Sequence, residues 1–183
     1  RGSFAEGGWA EVHRVMAINF DAQVRLTEAL LPLLRRSAPS GVVFVGSVAG
    51  RVSRAGAGSY SASKFALAGW TEAVALEEAR HGVHVGLVQP GFVATEGFPQ
   101  RELLARPWTR WMVSTDAKVA EAIVDAWKRR RAERYVPAVR ADIELRTLTH
   151  AVHSGMWGGL VPDALMTLAR LISSLHDDRG NVV

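Results

Sequence analysis

Apolar and polar positions along this chain alternate between two rhythms. From residue 8 to residue 36, Val12, Met16, Leu26, Leu30 and Leu33 recur along one stripe at steps of three and four. That spacing predicts a long helix. Asn19 and Gln23 interrupt the stripe on the same face. Buried amides need partners, so Asn19 either bonds backbone groups locally or holds an internal water. Pro32 removes one helical hydrogen bond and is expected to bend the last turn. The run Val42-Val43-Phe44-Val45 then predicts a buried strand over 41–46, followed by a Gly- and Ser-rich loop over 50–58. A second long helix is expected over 59–80, with Gly82 as its stop. Residues 83–88 read as the next buried strand. Strand, helix and strand in this order imply a right-handed crossover and a parallel sheet. The predicted class is therefore α/β, a parallel sheet with flanking helices.

Beyond Thr95 the rhythm loosens. Phe98, Pro99, Leu103, Leu104, Pro107, Trp108, Trp111 and Met112 follow no clean period. They suit either the wall of a pocket for a largely apolar substrate or the packing of a short core helix. Val119, Ile123 and Trp127 align on an amphipathic helix over 116–131, and Arg134-Tyr135-Val136-Pro137 reads as a short final strand. Residues 141–175 suggest two further helices, with a break over 155–159 and Pro162 in the first turn of the second. These helices would cover a pocket, extend a subunit contact or lie on a membrane surface. No repeat or linker divides the chain, so residues 1–183 are expected to form one domain with 141–183 as a helical extension.

Candidate chemistry lies where the first strand ends and the second helix begins. Ser47 closes the strand pattern, and Tyr60 and Lys64 stand four apart in Gly-Ser-Tyr-Ser-Ala-Ser-Lys. Residues i and i+4 share a helix face, so phenol and ammonium aim at one small volume. An isolated tyrosine titrates near ~10. A neighbouring cation favours the phenolate and brings proton donation toward neutral pH. Open parallel sheets bind ligands at the carboxyl ends of their strands, where Ser47 sits. Hydroxyl and phenol are thus placed to meet over one carbonyl oxygen.

These residues resemble the short-chain dehydrogenases/reductases. Val43-Phe44-Val45-Gly46-Ser47-Val48-Ala49-Gly50 resembles the family's strand ending in the active-site serine, and Tyr60-Ser61-Ala62-Ser63-Lys64 matches its Tyr-x-x-x-Lys. Residues 83–95, with Gln89-Pro90-Gly91, resemble its next strand and Pro-Gly turn, and Val15-Met16-Ala17-Ile18-Asn19 its helix with the catalytic Asn. Two departures stand out: Gly46 where a second Ser is common, and Gln89 where Asn or Ser is usual. The resemblance implies an α/β, Rossmann-like doubly wound parallel sheet with flanking helices, and an NAD- or NADP-dependent oxidoreductase interconverting an alcohol and a ketone or aldehyde. Asn19, Ser47, Tyr60 and Lys64 would be catalytic. Tyr60 and Lys64, with Pro90, Gly91, Val93 and Thr95, would contact the cofactor. Asn19 would support a water relaying protons from Lys64, and the segment after Thr95 would close over a small carbonyl or alcohol substrate. A reductase of carrier-bound 3-oxoacyl groups is the alternative within the class; a non-catalytic nucleotide-binding module or an inactive fragment is the alternative outside it.

The family's Gly-x-x-x-Gly-x-Gly turn does not occur in this chain. At about 30 residues per strand–helix–strand unit, the resemblance implies that the first four strands precede Arg1. The piece alone is then expected to expose apolar surface and an unpaired strand edge, to be inactive, and to aggregate. The same absence leaves NAD against NADP undecided. Ala62, Ala66, Gly69 and Ala73 give the second helix a small-residue face, which admits another helix from the same subunit or from a second one. The family commonly pairs this helix across a two-fold axis, implying a homo-oligomer.

Composition narrows the field further. The formal charge of +4 hints at acidic partners, and its densest run is Lys128-Arg129-Arg130-Arg131. Cations suit a helix C-terminus, and no aromatics interleave with them as a stacking surface needs. Nucleic-acid binding is not expected. With no cysteine there is no disulfide, thiolate metal site or cysteine nucleophile, consistent with a cytoplasmic enzyme. No apolar run is long enough to span a membrane. His150 and His153 have a metal-compatible spacing without a third ligand nearby, so no metal is expected.

Overall fold

The structure is a computed structural model that describes residues 3–96, 100–107 and 109–137. The expectations for 141–175, and those for Phe98, Pro99, Trp108, His150 and His153, lie outside the described residues. Within Arg1–Val139, one compact unit, the helices are α1 (Phe4–Met16), α2 (Ala22–Arg36), α3 (Gly58–Ala79), α4 (Arg101–Ala105) and α5 (Asp116–Lys128). The strands are β1 (Ser40–Val45), β2 (Val83–Pro90), β3 (Phe92–Ala94), β4 (Val113–Thr115) and β5 (Glu133–Val136). β1, β2 and β5 form a parallel sheet in the order β1-β2-β5, and β3 pairs in parallel with β4. This is the Rossmann-like α/β class read from the sequence.

β2 is the axis of the fold, and all eight of its residues are buried. Successive side chains of a strand point to opposite faces, and β2 uses both. Val83, Val85 and Leu87 pack with Phe44 of β1 and with Leu67, Ala68 and Val74 of α3. Val88 packs with Ala122 and Ala126 of α5 and Val136 of β5. Full burial of such a side chain stabilises by about 1.5–3 kcal/mol, which explains the near-continuous apolar run. Trp70 of α3 meets Phe44 and Phe20 edge-on, with ring centroids 5.2 and 6.2 Å apart. That aromatic chain fixes the segment around Asn19 against α3 and β1. At the other end of the helices, Arg35 donates through Nε to the buried Glu78 carboxylate at 2.8 Å.

The expected helix over 8–36 is not continuous. Helical structure starts at Phe4, kinks at Gly8 (φ 51°), and passes through a π-helical turn over Ala17–Asp21 before α2. Gly8 takes the left-handed region that glycine enters without a Cβ penalty. Leu26, Leu30 and Leu33 of the apolar stripe are 61%, 41% and 53% exposed. β1 pairs on one side only, and Val45 is also largely exposed. Apolar surface and an open strand edge are therefore present among the described residues, as the sequence predicts. α5 begins where Thr115 Oγ1 accepts the Lys118 N–H at 3.3 Å. The basic run after it folds back on itself: Arg129, Arg131 and Arg134 reach Asp125 at 2.7, 3.1 and 2.8 Å.

Candidate active site

The first turns of α3 carry Tyr60 and Lys64. Lys64 is 9% exposed, and its Nζ donates to the Val45 carbonyl at 3.0 Å while lying 5.8 Å from the centroid of the Tyr60 ring. The ammonium therefore hangs from the end of β1, two residues before Ser47. Burial pushes the Lys64 pKa below the ordinary lysine value. Ser47 is buried, and its Oγ accepts the Ala49 N–H at 3.2 Å as a 3₁₀ turn over Val48–Gly50 begins. That turn lies directly on α3, since a Cβ on Gly50 would stand 2.6 Å from the Lys64 carbonyl oxygen. Glycine here is a packing requirement that holds Ser47 against the helix carrying Tyr60 and Lys64.

Asn19 sits in the π-helical turn and approaches from the other side. Its Nδ2 donates to Ser63 Oγ at 3.1 Å, and Ser63 Oγ donates to the Tyr60 carbonyl at 2.7 Å. Its own carbonyl accepts Gln23 Nε2 at 2.6 Å. The Asn19 side-chain nitrogen has Ser63 as a partner, one that the sequence pattern does not single out. The Asn19 and Gln23 amides thus serve one turn, and the wider π geometry lets Asn19 face α3. Sequence reasoning passes over Ser63, although it is fully buried and stands immediately before Lys64.

Beside this cluster a cleft of about 240 Å³ opens among Val48, Gly91, Phe92, Trp111, Met112 and Tyr135, closed below by Val136 and Pro137. Its walls are mostly apolar. Gly91 lines the cleft and donates its N–H to the Val136 carbonyl at 2.8 Å. Pro90 is buried opposite Val136, and Val93 pairs with Ser114 in the small sheet. Thr95, exposed just past β3, is not a lining residue, nor are Pro90 and Val93. None of Asn19, Ser47, Tyr60 and Lys64 lines this cleft; Val48, the chain neighbour of Ser47, does. Of the predicted wall, Trp111 and Met112 line the cleft, while Leu103, Leu104 and Pro107 do not. Tyr135, read from sequence only as part of a strand, is a wall residue.

A buried ammonium thus stands at the carboxyl end of β1 with a phenol ring near it. The comparisons name the class. The short chain dehydrogenase family model matches residues 1–106, and the chain belongs to that family. The ketoacyl reductase HetN of Nostoc sp. is 33% identical over 132 residues, which are 72% of this chain and 46% of that protein. Retinol dehydrogenase 5 of Mus musculus is 32% identical over 149 residues, 80% of this chain and 46% of the relative. The crystal structure of a short-chain dehydrogenase from Streptomyces avermitilis superposes with a TM-score of 0.61 at 29% identity, covering 73% of this chain and 55% of that one. The chain spans less than half the length of these two curated relatives. No helix of the described residues is long and apolar enough to cross a membrane. Among those residues no group of three or more metal-ligating side chains gathers.

The cofactor implied by the family is NAD(P), and the residues present fit its nicotinamide-ribose end. An ammonium has three N–H donors, and Val45 takes one of those on Lys64. Among the described residues its other two N–H donors have no partner, as contact with ribose hydroxyls would require.

Proposed function

We propose that the full-length protein is an NAD(P)-dependent oxidoreductase that interconverts an alcohol and a ketone or aldehyde, with Tyr60 as the acid/base. The observation that carries this reading is the Lys64 ammonium, held at the end of β1 beside the Tyr60 ring and two residues from Ser47. When bound, the nicotinamide supplies or accepts the hydride. In the reducing direction Tyr60 gives its phenolic proton to the substrate oxygen. Ser47 Oγ donates a hydrogen bond to the same oxygen as charge develops on it. Lys64 holds the ribose hydroxyls and balances charge on Tyr60. Asn19 keeps the first turn of α3 in place through Ser63, and Thr95 with the backbone around Pro90, Gly91 and Val93 would contact the nicotinamide end. The apolar cleft favours a small, largely apolar carbonyl compound.

The reading is tested by Tyr60→Phe in the full-length protein. A general acid contributes about 10² to 10⁴ in rate, so turnover with a carbonyl panel should fall by that factor. Cofactor affinity, read by reduced-nicotinamide fluorescence, should stay unchanged. Near-normal turnover would overturn the mechanism.

A carrier-bound 3-oxoacyl substrate is the second reading, supported by the name of the Nostoc relative. It needs free arginines for an acidic carrier, and Arg129, Arg131 and Arg134 are instead engaged by Asp125. The exposed small-residue face of α3, where a Cβ on Gly69 would meet nothing, supports association into a homo-oligomer.

A further inference from the structure

Gly46 and Gln89, the two positions at which the sequence departs from the family pattern, meet in the structure. Gln89 is fully buried near the end of β2, and its Nε2 donates to Glu133 Oε1. A carboxylate only accepts, so the amide nitrogen faces Glu133 and the amide oxygen must point away. That oxygen has no hydrogen-bond partner among the described residues, and a Cβ on Gly46 would lie 3.2 Å from it. Glycine at 46 makes the room that the longer Gln89 side chain needs to reach Glu133.

Glu133 in turn gathers more than Gln89. The same Oε1 accepts Arg51 Nε at 3.3 Å and Nη2 at 3.0 Å, and the Tyr135 hydroxyl at 2.9 Å. Arg51 follows directly on the Val48–Gly50 turn, and Val48 and Tyr135 both line the cleft. One carboxylate therefore joins two wall segments 82 residues apart. Burial alone would raise the Glu133 pKa, but hydrogen bonds from Gln89, Tyr135 and Arg51 outweigh it and hold the group below the usual carboxylate value. Burial first, and then Glu133, push the Tyr135 phenol up. At neutral pH the acceptor stays charged and the phenolic donor keeps its proton. Charge-assisted bonds of this kind are roughly twice as strong as neutral ones.

We propose that Glu133 is a positioning residue that sets the spacing of the cleft walls, through Arg51 behind Val48 and through the hydroxyl of Tyr135, and thereby selects substrate. The selection rests on the oxidoreductase reading; the lock between the wall segments does not. The test compares Glu133→Gln, Arg51→Gln and the double variant in the full-length protein with a medium-chain ketone such as 2-octanone. Each single change should raise KM about tenfold with kcat within about twofold, the pattern of lost uniform binding. The double should be no worse than either single, as for residues acting through one contact. Backbone hydrogen exchange should rise over 48–52 and 133–137 in Glu133→Gln, while 67–79 keeps its protection. If wild-type protein reduces no carbonyl compound, the functional reading fails and the exchange measurement still decides the lock. A lower melting temperature with KM and local exchange unchanged, or fully additive effects in the double variant, would overturn the proposal.

Discussion

The catalytic cluster and the cleft beside it are built in different ways. Ser47, Tyr60 and Lys64 belong to one strand–turn–helix, and backbone contact through Gly50 presses the turn onto the helix. The cleft is walled by Val48, by Gly91 and Phe92, by Trp111 and Met112, and by the end of β5. Those pieces come from four separate stretches, and the lock at Glu133 joins two of them. Reacting groups need sub-ångström placement, which close-packed local structure supplies. A substrate pocket has only to present a surface, and short elements pinned by a few polar bonds suffice. The two regions should therefore fail differently when damaged.

Away from the reacting groups themselves, the largest effect is expected from Gly50→Ala. The added methyl would stand 2.6 Å from the Lys64 carbonyl oxygen and 2.9 Å from its carbon. Backbone cannot yield as a flexible side chain does, and overpacking of this kind costs about 1–3 kcal/mol. The turn should lift from α3 and carry Ser47 with it. A displacement of ~1 Å can cost about 10²-fold in rate, so kcat should fall by that order with KM little changed. An unaltered kcat would mean that the turn does not position Ser47.

Trp111→Ala sharpens the contrast from the cleft side. Trp111 is 58% exposed and lines the cleft. Loss of its contact with an apolar substrate should raise KM about 5- to 30-fold, the equivalent of roughly 1–2 kcal/mol, with kcat preserved. A fall in kcat instead would show that the cleft helps to place the reacting groups, and the division drawn above would not stand.

The same division governs what can be read from the chain alone. Tyr60 and Lys64 are legible because helical spacing fixes which side chains share a face. β2 is legible because a strand buried on both sides reads as a near-continuous apolar run, here interrupted by His84 and Gln89. Ser63 is harder: its hydroxyl reads as motif filler until Asn19 is seen to reach it across 44 residues. The π-helical turn leaves no trace in the apolar stripe, since one wider turn only rotates the helix beyond it. Glu133 and Arg51 are ordinary charges at the sequence level, and their meeting depends on β5 pairing beside β2. Gly46 and Gln89 are visible as departures, yet only their distance in space shows that one accommodates the other.

His84 supplies the smallest effect and a control on both regions. It lies near the start of β2, far along the strand from Gln89, with its buried ring set against α5. Its Nε2 lies 3.1 Å from the Ala126 carbonyl, an acceptor, so this nitrogen carries the hydrogen. Burial first, with the Arg130 charge adding to it, holds the imidazole below its ordinary pKa despite the hydrogen bonds that favour protonation. The folded protein thus binds this proton less readily than the unfolded chain. As pH falls below the unfolded value of about 6.5, the unfolded state takes up protons that the folded state refuses, and stability declines. For one group the slope cannot exceed about 1.4 kcal/mol per pH unit, and it ends at the lowered folded pKa. His84→Gln retains a donor for Ala126 without a titrating ring, so the difference in unfolding free energy between wild type and variant should shift in the variant's favour as pH falls below about 6.5. At pH 7.5 both kcat and KM should match wild type. Because His84 belongs to the frame rather than to the cluster or the cleft, a change in either constant would show that strain in β2 travels the length of the strand to Gln89 and the Glu133 lock.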